Sequence, residues 1–431
     1  MVKLPSFTAA FASIQWFVFI FANTAVVPIS IGAAFSLDSQ TIAELIRNSL
    51  VFTGIACMLQ GAVGHRFPLL EGHSGFMWGL VLNLCYASSA LGMSLPEIGG
   101  GIASGMLIAG AITAVLAAFN LLNFMEKIFT PMVMSVFLFL LTFQLVLIFF
   151  DGMFKRTEDG LVLWPETLLA FAVAVFTCLL KIVGSEKMGN FSILIGIAAG
   201  WLTYRLLFPE DLSMPSNAAT YSFTLFPLGE PNLNVPIIVV TCVATLINLS
   251  NSITAVKTVA RLYGEEATRS AINRSYALNG LFSMAGAALG LVSYAPFAST
   301  IGFLQSTGIF DRKPYLIGGL LMSVAGIVPM MSGFLATLPV TIGNAVLFAA
   351  YLQLLGTSIN SIRDWAFDSV SIFRLALPVL TGLGVLSVDP SYFNGVPTLV
   401  QPLVSNGFIV GVLLSVVMEL IIPWERRKRQ T

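Results

Sequence analysis

Uncharged runs long enough to cross a bilayer recur along this chain, and they constrain its fold more than any motif. No Asp, Glu, Lys or Arg occurs from 72 to 96, from 128 to 150 or from 275 to 310. A helix needs about 20 apolar residues to cross the hydrocarbon core, where every backbone N–H and C=O must find its partner away from water. Apolar residues make up 57% of the 431 and charged residues 10%, whereas soluble domains carry about 25% charged residues. No single water-soluble core absorbs that much apolar surface. The chain therefore reads as an all-α integral membrane protein.

About fourteen spans can be placed, near 11–33, 48–64, 72–91, 100–120, 128–150, 163–182, 188–207, 235–257, 276–293, 297–309, 315–332, 337–356, 371–388 and 402–423. The third and tenth are short and interrupted by Gly, Ser and Pro. The opening stretch has the composition of a signal peptide, but its apolar run continues to about Ala34 without a cleavage site, so it is taken as the first span. With both termini in the cytoplasm, 17 of the 21 Lys and Arg residues fall inside, and only Arg47, Lys155, Arg156 and Arg205 fall outside. One miscounted span would scramble that bias, which follows the positive-inside rule. The longer connections are an external segment near 208–234 and a basic internal loop near 258–275. The final WERRKRQ is expected to anchor the chain at the cytoplasmic face.

Several function classes are disfavoured. The formal net charge is zero, which gives no electrostatic footprint for nucleic acid. Cys57, Cys85, Cys178 and Cys242 lie inside apolar stretches without metal-ligand spacing and read as small core residues. With two histidines, no His-rich metal site can be built. No HExxH or GxSxG pattern is present, so neither an enzyme nor a cofactor is expected.

The two weak segments sit seven spans apart. One reads Glu71-Gly-His-Ser-Gly-Phe-Met-Trp-Gly79, the other Ala298-Ser-Thr-Ile-Gly-Phe-Leu-Gln-Ser306, and both carry Gly-Phe after small polar residues. An odd spacing places the two copies in opposite orientations. Paired interrupted helices in inverted repeats point to a transporter's central site, because backbone freed from helix at that depth must bond to protein, water or substrate.

Residues 14–28, IQWFVFIFANTAVVP, resemble the first helix of nucleobase permeases. Residues 299–308, STIGFLQSTG, resemble that family's signature, with Gly302, Thr307 and Gly308 at its spacing. Residues 246–261, LINLSNSITAVKTVAR, stand where the family has its eighth helix, and Asn279-Gly280 opens the ninth. Across its length the chain resembles the nucleobase–ascorbate (nucleobase:cation symporter-2) family, bacterial uracil and xanthine (purine) permease branch. The resemblance implies fourteen segments in two inverted repeats of seven. Core parts at 1–125 and 235–334 would alternate with gate parts at 126–234 and 335–431, and short strands in segments 3 and 10 would meet near the membrane centre. It further implies a bacterial inner-membrane protein that works by elevator-type movement, with a nucleobase as substrate, a proton as coupling ion and a homodimer as a common assembly.

In such relatives a carboxylate on segment 8 and a carboxylate or Gln on segment 10 read the base edge, and an acid can carry the proton. Here those positions hold Asn248 and Ser299, followed by Thr300, with Ser252 one turn beyond Asn248. The implied site is neutral but polar, because a carboxamide still offers donors and an acceptor to a planar ring. Asn23 joins it from the first helix, and Phe76 is the aromatic placed to stack. Each also has a plain structural reading: Asn248 as interhelical glue, the hydroxyls as partners of broken backbone, Phe76 as core. For proton coupling the candidates are Glu71 and His73, with pairing of Glu71 to Arg66 as the structural alternative. His65 is placed in an internal loop. Glu419 reads as a solvated or paired group near the end of the last helix, and Lys257 as a snorkelling one.

The missing acids leave two transport readings open, a proton symporter for a purine such as xanthine or urate (uracil next), and an uncoupled facilitator of nucleobases or ureides such as allantoin. Anion carriers share the fold, but they want positive charge at the interrupted segments, and none lies within them.

Overall fold

The structure is a computed structural model. It describes every residue except 1–5, 122–127, 129, 158, 186–187, 190, 210–222, 298, 329–336, 364, 367, 398 and 425–431. In chain order the elements are α1 (Ser6–Thr24), α2 (Val26–Ala34), α3 (Ser39–Ala62), β1 (Glu71–His73), α4 (Gly75–Tyr86), α5 (Ser88–Leu91) and α6 (Leu95–Ala118). There follow α7 (Pro131–Asp151), α8 (Trp164–Ile182), α9 (Ser192–Leu207), α10 (Val235–Leu262), α11 (Arg269–Ala288), β2 (Tyr294–Pro296), α12 (Ser299–Thr307) and α13 (Arg312–Ile327). The last are α14 (Val340–Ser361), α15 (Ser369–Ser387), a 3-10 turn (Pro390–Phe393), α16 (Gln401–Val404) and α17 (Gly407–Ile421).

Side-chain caps set many of the starts. Asp38 accepts from the N–H groups of Gln40 and Thr41, so α3 begins well before the span expected near 48. Thr268 accepts from the Ala271 N–H and starts α11 at Arg269. The basic loop expected over 258–275 therefore shrinks to 263–268, because hydropathy hides helical turns that carry charge. Thr130 and Asn234 cap α7 and α10, each followed by a proline in the first turn, where its missing N–H costs nothing.

Among the described residues, seven helical stretches are long and apolar enough to cross a bilayer: Ala9–Ala34, Ser39–Ala62, Leu95–Ala118, Pro131–Asp151, Trp164–Ile182, Val235–Leu262 and Ser369–Ser387. Gly75–Tyr86, Ser192–Leu207, Val340–Leu352 and Gly407–Ile421 are apolar but shorter. Length and hydropathy thus identify half of the fourteen spans expected from the sequence.

Two broken segments meet in the interior. β1 pairs antiparallel with β2, with Glu71 opposite Pro296, Gly72 opposite Ala295 and His73 opposite Tyr294. The Ser74 N–H donates to the Ser293 carbonyl and the Phe297 N–H to the Leu70 carbonyl, both at 2.9 Å, and extend the pairing beyond the strands. All six strand residues are buried. At this depth the pairing supplies backbone bonds that helix would otherwise supply.

Helices α1, α3, α10 and α11 touch this sheet and α6 and α13 pack against them, while α7, α8, α9, α14, α15 and α17 pack mainly on one another. Helix α4 touches α7, and α2 touches α14, which joins the two sets. The approach is mutual where α6 crosses α11: a Cβ on Gly110 would fall 2.6 Å from the Gly280 carbonyl oxygen, and one on Gly280 would fall 2.5 Å from that of Gly110. Only glycine fits at either position. In the second set, Glu419 of α17 takes two guanidinium N–H groups of Arg374 from α15 and the Thr130 hydroxyl, so it is a paired group. Trp365 and Trp424 flank the same guanidinium, with ring centres at 5.2 and 5.1 Å.

Candidate substrate site

Asn248 sits in the middle of α10 and fastens both broken segments. The Ser74 hydroxyl donates to its Oδ1 at 2.6 Å, and its Nδ2 donates to the Tyr294 carbonyl at 3.3 Å. Ser74 directly follows β1 and caps α4 by accepting from the Met77 N–H, so one carboxamide ties the exit of β1, the start of α4 and the edge of β2. Asn248 is 3% exposed, a depth at which an unmatched carboxamide would be costly. Ser74 stands inside the motif at 71–79, yet nothing local marks it as half of this clasp.

One turn along α10, the Ser252 hydroxyl accepts from Asn279 Nδ2 of α11 at 2.9 Å. Asn279 Oδ1 in turn accepts from Gln60 Nε2 of α3 at 2.6 Å, and the same Nε2 reaches the Ser275 carbonyl at 3.1 Å. This buried chain holds three helices around the sheet. Thr300 in α12 accepts from the Leu70 N–H at 3.2 Å, a second fastening between the broken segments. Ser299 opens α12; its side chain lies outside the described residues.

Glu71 is fully buried, and neither carboxyl oxygen has a hydrogen-bond partner among the described residues. Pairing with Arg66 at the membrane surface, the alternative open to the sequence, is not what the structure contains, because strand pairing carries Glu71 into the interior while Arg66 stays in the loop. The Glu71 backbone is held by Cys57, whose thiol lies 3.3 Å from its carbonyl and 3.4 Å from its nitrogen. His73 Nε2 and the Ser49 hydroxyl lie 2.7 Å apart, and Nδ1 is unmatched. The His73 ring stands edge-on to Tyr294, whose hydroxyl meets Thr53 at 2.9 Å. His65, assigned to a loop, is also buried, with Nδ1 accepting from the Phe67 N–H.

The two outlying candidates are engaged elsewhere. Asn23 Nδ2 donates to the Phe19 carbonyl in its own helix at 2.8 Å. Phe76, at the start of α4, is stacked on Phe408 of α17 at 4.0 Å and stands edge-on to Phe137 of α7 at 5.9 Å. The structure thus brings Asn248, Ser74 and Tyr294 together, with Ser252 one turn away on the same helix. Glu71, His73 and Thr300 lie on the strands and their flanks, and the stacking face of Phe76 is occupied by another aromatic. A cavity of about 300 Å³ beside α3, lined by Arg47, Asn48, Val51, Phe52, Phe223 and Leu289 among others, includes none of these residues. No group of three or more His, Cys, Asp or Glu able to hold a metal occurs among the described residues.

This is a polar centre clasped between paired broken segments, in a helical protein with several bilayer-length spans. A family model described as a permease family matches residues 7–391. The chain belongs to the nucleobase–ascorbate transporter family. The permease is 25% identical over 427 residues to YwdJ of Bacillus subtilis (strain 168), with 96% of each chain covered. It is 24% identical over 418 residues to the uric acid transporter UacT of Escherichia coli (strain K12), covering 94% of this chain and 84% of that one. Among solved structures, it resembles the transmembrane domain of the cyanobacterial bicarbonate transporter BicA with a TM-score of 0.62 at 14% identity, 96% of each chain being covered. That likeness is one of fold. The permease is an integral, multi-pass membrane protein, and its family is one of transporters.

Proposed function

We propose that this permease is a secondary active transporter of nucleobases, foremost purines such as xanthine or urate, in the bacterial inner membrane with both termini cytoplasmic. The observation that carries the reading is the Asn248 clasp across β1 and β2, in a chain whose family and named relatives are permeases. A base would enter beside the clasp, between the strands and α10, where Asn248, Ser252, Ser299 and Thr300 would supply neutral donors and acceptors; Asn23 and Phe76 would join only after movement frees them from Phe19 and Phe408. Fourteen segments in two inverted repeats would supply the frame. Elevator-type movement would carry residues 1–125 and 235–334 against 126–234 and 335–431, most simply within a homodimer. The separation of helix packing into two sets supports this division.

Glu71 is the proposed proton carrier and His73 its neighbour in the relay. A carboxyl without a partner can hold a proton while buried and release it when movement lets water in. The neutral surroundings of Asn248 favour a second reading, an uncoupled facilitator of the same bases or of ureides. Uptake of radiolabelled xanthine, urate, uracil and allantoin into cells lacking their own permeases, with and without a protonophore, separates the two. Uphill uptake of a purine that collapses with the protonophore is expected. Uptake that only equilibrates selects the facilitator, and uptake of none of the four overturns the ligand class.

A further inference from the structure

Helix α7 carries one strongly polar side chain within a very apolar run, Gln144 in MVMSVFLFLLTFQLVLIFF. It is 2% exposed, and neither its Nε2 nor its Oε1 has a hydrogen-bond partner among the described residues. No other Asn or Gln among the described residues buries both amide atoms unmatched. A carboxamide kept for helix association would be bonded to the neighbouring helix. A packing position would take Leu or Met at lower cost.

The surroundings show what the amide faces. It lies against α4 at Gly79, where a Cβ would fall 2.8 Å from Nε2 and 3.0 Å from Cδ, so the missing side chain of Gly79 makes room for the amide. One turn back along α4, Gly75 faces Leu145 and Tyr351, and the next residue, Phe76, stacks on Phe408. Gln144 therefore stands across the contact between the two helix sets, about 6 Å along α4 from the residues nearest the clasp. Trp78, beside Gly79 in sequence, buries a second unmatched donor, its indole N–H.

We infer that Gln144 is a substrate-reading residue contributed from the α7 side, opposite Asn248. This rests on the nucleobase reading above. Adjacent N–H and C=O groups on an oxopurine edge match a carboxamide that offers one acceptor and two donors. Both polar atoms of Asn248 already bind protein, so its free capacity is one N–H and one lone-pair direction. Gln144 has its full capacity free. In the packed arrangement the amide is held ready against Gly79; once α4 separates from α7 to admit a base, the base edge supplies the missing partners.

The test compares wild type with Gln144→Leu and Gln144→Asn in uptake assays. Competition is measured with the transported oxopurine and with analogues methylated at each ring nitrogen. For Gln144→Leu the KM is expected to rise about tenfold, the effect of one lost hydrogen bond. Discrimination against one methylated analogue should narrow by a similar factor, while the melting temperature in detergent stays equal or rises. Gln144→Asn, which keeps the amide but shortens its reach, is expected to fall between. Unchanged KM and unchanged discrimination in a folded Gln144→Leu overturn the inference. Should that variant fail to reach the membrane, discrimination in Gln144→Asn decides alone: narrowed supports, unchanged overturns. Failure of the wild type to take up any base would instead strike down the nucleobase reading, and this inference with it.

Discussion

In the segment through Glu71–His73, both carboxyl oxygens of Glu71 and Nδ1 of His73 are buried without hydrogen-bond partners among the described residues. In the segment through Tyr294–Pro296, the Tyr294 hydroxyl meets Thr53, its carbonyl takes the Asn248 amide, and Thr300 accepts from Leu70; the Ser293 hydroxyl is the unmatched exception. The two segments pair residue for residue, yet one is bonded out and the other holds polar capacity in reserve. Buried polar groups without partners are expensive, so their concentration on one side has to be explained by something other than folding. In the proposed transport reading the second segment would act as the fixed wall, and the first would present groups that work only when the surroundings change.

The strongest way to break this contrast is to remove what joins the two sides. Asn248→Leu would orphan both the Ser74 hydroxyl and its share of the Tyr294 carbonyl, a loss of about 3 kcal/mol. A marked fall in the melting temperature of the purified protein and loss of uptake are expected. Asn248→Asp keeps the acceptor for Ser74 and should fall by less. A Leu variant as stable as wild type would show that the clasp does not hold the strands.

On the bonded side the effect is smaller. Tyr294→Phe removes one hydroxyl pair and leaves Thr53 unmatched, which costs about 1 kcal/mol. Its ring contacts with His73 and Phe52 persist. Stability should drop modestly while concentrative uptake remains. Loss of accumulation with intact folding would move Tyr294 from the wall to the working side.

How much of this was open to sequence reading follows the range of each contact. Long apolar runs mark helices locally, and α7 at Pro131–Asp151 and α8 at Trp164–Ile182 fall within a few residues of their expected spans. The interrupted segments also announce themselves through Gly, Ser and Pro. The partners across the sheet do not: β2 at Tyr294–Pro296 fell at the boundary between two expected spans, because pairing, not composition, makes it a strand. Likewise Ser252 was legible as a polar site on α10, but its chain through Asn279 to Gln60 spans three helices. Gln144 had an available signal, a lone carboxamide in an apolar span. Phe76 was legible as an aromatic but not as one already stacked on Phe408, since that contact joins residues far apart in the chain.

The smallest expected structural effect sharpens the contrast most. Glu71→Gln replaces a carboxyl that makes no hydrogen bond among the described residues with a group of nearly the same shape, so stability should change by less than about 1 kcal/mol. Transport should change in kind: uptake against a gradient is lost and protonophore sensitivity disappears, while exchange of labelled for unlabelled base across the membrane continues. That combination follows only if the carboxyl is kept for its proton, because a packing role would leave accumulation untouched and a binding role would remove exchange as well. Uphill uptake by a folded Glu71→Gln protein would remove Glu71 from coupling. The unmatched oxygens would then need another explanation, and the asymmetry between the paired segments would rest on His73 and its free Nδ1.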